Sequence, residues 1–348
     1  MSGGDDGLDR YQRQMLYHEV GEEGQRRLAA SRVTLIGCGA LGSSLADTLV
    51  RAGVGHLRIC DRDFIELNNL QRQVLFDEQD IADQLPKAEA ARRKLARINS
   101  SVTVEAVVAD VNHANIERFV HGADLILDGT DNFETRYLIN DAAVKLGLPW
   151  VYGGVIGATG LCMSILPGET PCIRCVFENA PPPELTPTCD TAGVLGPAVQ
   201  IVTGVQSLEA LKILMGRREA VSRKLLNIDA WTGRFVSLAV GDQPNPKCPC
   251  CGKGDYEFLR GEKTSTAVSL CGREAVQIHR GGSSAVDFDA VASKLQGVAT
   301  GNVKANKFLV RAVVDGFEFT VFSDGRAIIK GTSDPDQARS LYARYIGG

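Results

Sequence analysis

Gly37-Cys38-Gly39-Ala40-Leu41-Gly42 follows an apolar run at 32–36 and opens a segment, 40–52, with helical periodicity. Three glycines spaced this way between a strand and a helix make an anion site. The first permits a tight turn, the second lets backbone approach a phosphate, and the third lets the helix pack closely on the strand. The helix N-terminus then offers its N–H groups to the anion. Asp61 closes the next strand, about twenty residues further on, where a carboxylate bonds ribose hydroxyls. Gly37, Gly39, Gly42 and Asp61 together predict a nucleotide site, against the alternative of a structural turn.

Those four residues suit NAD as well as ATP, and the next polar residues separate the two. Asn69 and Arg72 lie in Asn68-Asn69-Leu70-Gln71-Arg72-Gln73, Lys87 follows, and Asp131 lies in Asp128-Gly129-Thr130-Asp131-Asn132. The run places two cations and two carboxylates, Asp128 and Asp131, at strand ends of one sheet. ATP with Mg2+ needs cations for its phosphate oxygens and an aspartate for the metal, whereas hydride transfer needs neither. Arg72 or Lys87 alone reads equally well as a solvated surface charge; their order gives them weight.

Cys172-x-x-Cys175 and Cys248-x-x-Cys251 have the spacing by which neighbouring thiolates share one tetrahedral metal. Four sulfur ligands flanked by proline and glycine turns describe a closed, structural Zn2+ site. Cys250 competes with Cys251, but the two-residue gap from Cys248 favours Cys251. A zinc ribbon for nucleic acid is the usual alternative; the wide separation of the pairs and the net charge of −4 argue against it. Cys38 and Cys60 read as small buried hydrophobes.

The elements that must position these residues alternate. Strand-like runs fall at 32–36, 56–60, 102–108, 124–127 and 149–152, with helical patterns at 40–52, 87–98, 112–121 and 132–146. Alternation of this kind predicts an α/β fold, a Rossmann-like doubly wound and mostly parallel sheet. Past Gly153 come a strand at 161–166, a proline-rich loop at 178–190, a long helix at 197–215, and strands at 225–228 and 234–238. These make one domain, 1–258. After a linker, 265–348 reads as a separate, small α+β module of unknown role, with strands, one central helix and a terminal helix.

Composition narrows the class. Hydrophobic and charged fractions of 44% and 23% are those of a soluble globular protein. The apolar stretch 191–208 contains glutamines, glycines and prolines and reads as a buried helix, so no membrane span is expected. The glycine- and aspartate-rich start has no leader pattern. Ten cysteines without one point to the reducing cytoplasm.

Arg10-Tyr11-Gln12-Arg13-Gln14, the glycine loop, Asn69-Leu70-Gln71-Arg72-Gln73, Lys87, Thr130-Asp131-Asn132 and the four paired cysteines resemble the ThiF/MoeB/HesA family, bacterial relatives of ubiquitin-activating enzymes. The resemblance covers roughly residues 8–252. It implies ATP-dependent adenylylation of the C-terminal carboxylate of a ubiquitin-like sulfur-carrier protein, ThiS- or MoaD-like, ahead of thiocarboxylation for thiamin or molybdopterin. In such a protein Asp61 would hold the ribose, Asn69, Arg72 and Lys87 the phosphates, and Asp131 the Mg2+. Arg13 would reach into the partner's site in a homodimer. Cys189 matches the family's crossover-loop cysteine and would meet the activated carrier or the sulfur, delivered by a cysteine desulfurase or a rhodanese. The C-terminal module lacks the length and cysteine loop of a rhodanese domain. Rival readings are a family member that dehydrates a modified tRNA base, which would want a basic surface, an NAD-dependent dehydrogenase, and a catalytically dead scaffold.

Overall fold

The computed structural model describes residues 7–179, 192–263, 267–270 (backbone only), 274–278, 286–322 and 325–346; Cys189 and most of the proline-rich loop lie outside them. The chain divides into two units, Met1–Lys263 and Thr264–Gly348.

The first unit is built on eight strands: β1 (Arg32–Ile36), β2 (His56–Cys60), β3 (Thr103–Val107), β4 (Leu125–Asp128), β5 (Trp150–Ile156), β6 (Thr159–Ile165), β7 (Lys224–Asp229) and β8 (Arg234–Ala239). Their order is β3-β2-β1-β4-β5-β6-β7-β8. β1 pairs in parallel with both β2 and β4, while the pairs from β5 to β8 are antiparallel. The central strands carry no polar alternation because both faces are covered: all four residues of β4 are buried. Strand order reverses between β1 and β4, which puts a crevice at their C-terminal ends, where open α/β sheets take ligands.

The helices around this sheet include α1 (Gly21–Ala30), α2 (Ala40–Ala52), α3 (Lys87–Ile98), α4 (Ile116–Val120), α5 (Phe133–Leu146) and α6 (Gly196–Leu214), while α7 (Phe288–Gln296) belongs to the second unit. α6 begins with proline in its first turn, where a missing N–H costs nothing, and packs on α2 and β5. It is the long apolar helix expected from the sequence. Among the described residues no helix is long and apolar enough to cross a membrane. α4 is shorter than the helical pattern at 112–121. Asn112 and Asn115 bond their own backbone, with Ala114 N donating to Asn112 Oδ1 at 3.0 Å and Asn115 Nδ2 donating to Asp110 O at 2.8 Å, so the chain turns before it coils. Strand β5 runs past 152 to Ile156 because its hairpin with β6 supplies partners that far.

The second unit is an antiparallel sheet ordered β11-β12-β13-β14-β10-β9, from β9 (Ala267–Leu270), β10 (Ala275–Ile278), β11 (Lys304–Ala305), β12 (Leu309–Val314), β13 (Phe317–Phe322) and β14 (Ala327–Lys330). With α7 and a last helix, α8 (Pro335–Tyr345), it encloses a core of its own that includes Val276, Leu295, Val310, Phe319, Ile329 and Tyr342.

Candidate active site and metal centre

At the crevice three glycines meet. Gly37 has φ +88°, and a Cβ there would lie 2.7 Å from Gly129 O. A Cβ on Gly42 would lie 2.0 Å from Gly37 O, and one on Gly129 2.4 Å from the same atom. These contacts let α2 start directly against the ends of β1 and β4. Gly39 differs: the nearest atom to a Cβ there is Gln73 Nε2 at 3.9 Å. Packing does not demand that glycine, so the space beside it is free for a ligand.

Asp61 is buried at the end of β2. Its Oδ2 accepts from Cys38 N and its Oδ1 from Asp63 N, each at 2.6 Å. Burial raises its pKa above the usual carboxylate range, opposed chiefly by Lys87. Each oxygen keeps a lone pair for a further donor. Lys87 is buried at the start of α3. Its N donates to Asp63 O at 2.8 Å and its Nζ to Asp63 Oδ2 at 3.1 Å, which holds the cation beside Asp61 and the glycine loop. Burial pushes the Cys38 thiol up, so it is an inert packing group as expected.

The loop between β2 and α3 brings Gln73 against Gly39, with Gln73 Oε1 buried and unpaired. Asn69 is buried with its Oδ1 accepting from Glu66 N and its Nδ2 donating to Asn68 Oδ1, both within its own turn. Arg72 is half-buried, and its Nη1 donates to Asn68 O at 2.6 Å.

Asp131 and Asp128 part company. Asp131 is exposed just before α5, whose Asn132 caps the helix. Asp128 is fully buried, with Oδ2 accepting from Arg136 Nε at 3.2 Å and Oδ1 from Thr130 N and Oγ1. Only one of the two carboxylates expected at this strand end is therefore open to a metal. The Arg136 guanidinium also bonds Thr130 O and Gly153 O, fixing the loop that carries Asp131. A single arginine inside a helical pattern gave no sign of this in the sequence. Arg13 stands apart from the crevice residues in the described contacts. Arg10 donates to Ile98 O, Tyr11 is buried and accepts from Asn99, and Gln14 donates to Ala52 O, so the segment is anchored with Arg13 exposed.

Cys172, Cys175, Cys248 and Cys251 form a cluster whose sulfurs all lie within 4.8 Å of one another. The Sγ–Sγ distances include 3.9 Å for 172–175, 3.6 Å for 172–248 and 3.3 Å for 175–251. A tetrahedron with Zn–S bonds of about 2.3 Å has edges of roughly 3.8 Å, so the four thiols fit the ion. Hydrogen bonds from Cys175, Cys250 and Cys251 hold the Cys172 thiol well below its ordinary range. A Cβ on Gly252 would lie 2.4 Å from Pro246 O, so the second knuckle requires glycine. Cys250 is fully buried outside the cluster of four and accepts from Asn140 Nδ2 at 3.2 Å.

A ThiF family model matches residues 11–250, which take in the crevice and three of the four clustered cysteines, Cys172, Cys175 and Cys248. The chain belongs to the ThiF family. It is 42% identical to the sulfur carrier protein ThiS adenylyltransferase of Bacillus subtilis over 338 residues, 97% of this chain and 99% of that protein. A match of that length runs well past Lys263 into the second unit. It is 41% identical to the sulfur carrier protein adenylyltransferase of Thermus thermophilus over 266 residues, 73% of this chain and 97% of that one. A crystal structure of E. coli MccB with AMPCPP and MccA superposes with a TM-score of 0.63 at 22% identity, covering 72% of this chain and 75% of that one, and shares the ThiF fold.

Proposed function

We propose that the chain uses ATP to adenylylate the C-terminal carboxylate of a ubiquitin-like sulfur-carrier protein of the ThiS type. The end-to-end identity with the Bacillus adenylyltransferase carries this reading, because it includes the second unit as well as the ThiF-family region. A carboxylate resists a sulfur nucleophile because it has no good leaving group. When its oxygen attacks the α-phosphorus of ATP, a P–O bond forms, the bond to the β-phosphate breaks and pyrophosphate leaves. The acyl-adenylate now carries AMP as a leaving group. Hydrosulfide displaces it to give the thiocarboxylate directly. A donor's persulfide displaces it to give an acyl disulfide, which a thiol then cleaves to the thiocarboxylate as it is itself oxidised to a disulfide.

The enzyme's share is alignment and charge neutralisation. The glycine loop and the start of α2 take the phosphates, Asp61 takes the ribose, and Lys87 and Arg72 face the triphosphate. Asn69, whose amide is engaged in its own turn, shapes the loop that carries Arg72. Asp131 is the open carboxylate for Mg2+, which would offset phosphate charge when bound. The four cysteines hold a structural Zn2+. Arg13 serves a neighbouring subunit's site in a homodimer, and the exposure of Leu16 and Tyr17 beside it, 74% and 62%, leaves apolar surface for such a partner. Cys189 receives the activated carrier or the sulfur from a donor protein, in the cytoplasm.

Carrier-dependent exchange of labelled pyrophosphate into ATP tests the reading, with ThiS-type and MoaD-type carriers side by side. Exchange with a ThiS-type carrier is the expected result. Protein that binds ATP yet exchanges with none of the carriers refutes it.

A further inference from the structure

We infer that Arg62 is the wall of the nucleobase subsite, presenting the flat face of its guanidinium to the adenine while Asp110 holds it in place. The inference rests on the proposed nucleotide site and comes from the order of strand ends. β1, β2 and β3 are parallel neighbours, a strand spacing apart. With the phosphates at the glycine loop after β1 and the ribose on Asp61 after β2, the base lies beyond the ribose, over the end of β3. Arg62 follows Asp61 directly, and Asp110 lies just past the end of β3, which closes at Val107.

The pair is built, not loose. Arg62 Nη1 donates to Asp110 Oδ1 at 2.7 Å, and Arg62 Nε lies 3.7 Å from Asp63 Oδ1. The side chains of Arg62 and Asp110 are only 23% and 16% exposed. Burial disfavours the arginine charge, but Asp110, Asp63 and, less strongly, Asp131 outweigh it and raise the pKa above the ordinary range. A sheltered pair at the mouth of a cleft costs desolvation. A guanidinium pinned at one edge keeps its plane available for stacking on a base, which an ammonium cannot do. Asp63 has a different task, since its carboxylate also holds Lys87.

The test uses the full chain with its carrier and separates base recognition from a strut between β2 and β3. For Arg62→Ala the KM for ATP in pyrophosphate exchange rises on the order of tenfold, the size of a lost base-stacking contact. The rate at saturating ATP and the KM for the carrier stay at wild-type values, while the unfolding midpoint falls because Asp110 loses its arginine partner. Tripolyphosphate, which lacks a base, competes equally well in both proteins. Arg62→Lys fails to restore ATP affinity, and Asp110→Asn raises the KM by a smaller factor. Arg62→Gln serves for the same measurements if the alanine protein does not fold. An unchanged KM for ATP, equal weakening of tripolyphosphate, or full rescue by lysine overturns the proposal. A wild-type protein without exchange would instead overturn the nucleotide reading on which it rests.

Discussion

The crevice and the thiol cluster lean on the same helix yet are finished in opposite ways. Asp131 stands just before α5, while Asn140 and Asp141 in its middle grip the cysteine segments: Asn140 Oδ1 accepts from Ile173 N, and Asp141 Oδ2 from Phe258 N. In the crevice, capacity is left over. Asp61 has spare lone pairs, Gln73 Oε1 is buried unpaired, Asp131 is exposed, and nothing crowds Gly39. In the cluster each of the four thiols faces another. The first is an arrangement that a departing substrate completes; the second is one that a resident ion completes. Substitutions in the crevice should therefore change chemistry and spare stability, and those in the cluster should do the reverse.

The cluster offers the largest effect. Purified without chelators, the protein should carry about one zinc per chain, and Cys248→Ser should lower stability by several kcal/mol, since structural zinc contributes folding free energy outright. Exchange by the fraction that stays folded should remain near normal. Metal analysis that finds no zinc in wild-type protein would break the comparison on this side.

The crevice counterpart is Asp131→Ala. Losing the open carboxylate should slow carrier-dependent exchange a hundredfold or more, about 2.7 kcal/mol of transition-state stabilisation, with an unchanged unfolding midpoint. Near-normal exchange in a folded variant would remove the metal role from Asp131. Two glycines of one loop sharpen the contrast further. Gly42→Ala forces a Cβ against Gly37 O and should cost on the order of 2 kcal/mol of stability. Gly39→Ala meets nothing in the fold, so it should leave the midpoint alone and weaken ATP binding about tenfold through the phosphate approach alone. Calorimetric ATP titration beside urea unfolding separates the two, and the same phenotype in both variants would count against the free space beside Gly39.

Legibility tracked the local or non-local origin of each feature. Gly37 to Gly42 announces itself because turn, helix start and strand are contiguous, and the sheet with its flanking α2 and α3 follows from short-range periodicity. The cysteine pairs are equally visible, since each knuckle is local although their meeting is not. Asp128 lies at the strand end as expected, but a carboxylate there looks the same in sequence whether open or buried; only the partner eight residues on, Arg136, decides it. Arg62 and Asp110 were silent for a related reason, their pairing being fixed by adjacent parallel strands that sequence order keeps far apart. Helix α4 came out short because asparagine side chains compete with the helix for backbone groups, a choice that hydrophobic periodicity does not register.

The smallest effect concerns Glu89, two residues from Lys87, and asks whether nearness to the crevice is enough to matter. Its carboxylate is paired with Arg92 at 2.8 Å and Arg93 at 2.9 Å along α3. The Arg92 hydrogen bond first, and Arg93 after it, lower its pKa to about 2 against an ordinary value of 4.5, with burial opposing. A carboxyl lowered in the folded state adds stability that is present above the unfolded value and is lost as pH falls through the folded one. Both arginines are more than 40% exposed, so solvent screening reduces the contribution to about 1 kcal/mol. Glu89→Gln should accordingly lower the urea midpoint slightly at about pH 7, with the gap closing between pH 4.5 and about pH 2. The KM for ATP should not move, because Glu89 bonds only its own helix in these pairs. A shifted KM with an unchanged midpoint would place Glu89 in the phosphate site and blur the line between scaffold and crevice.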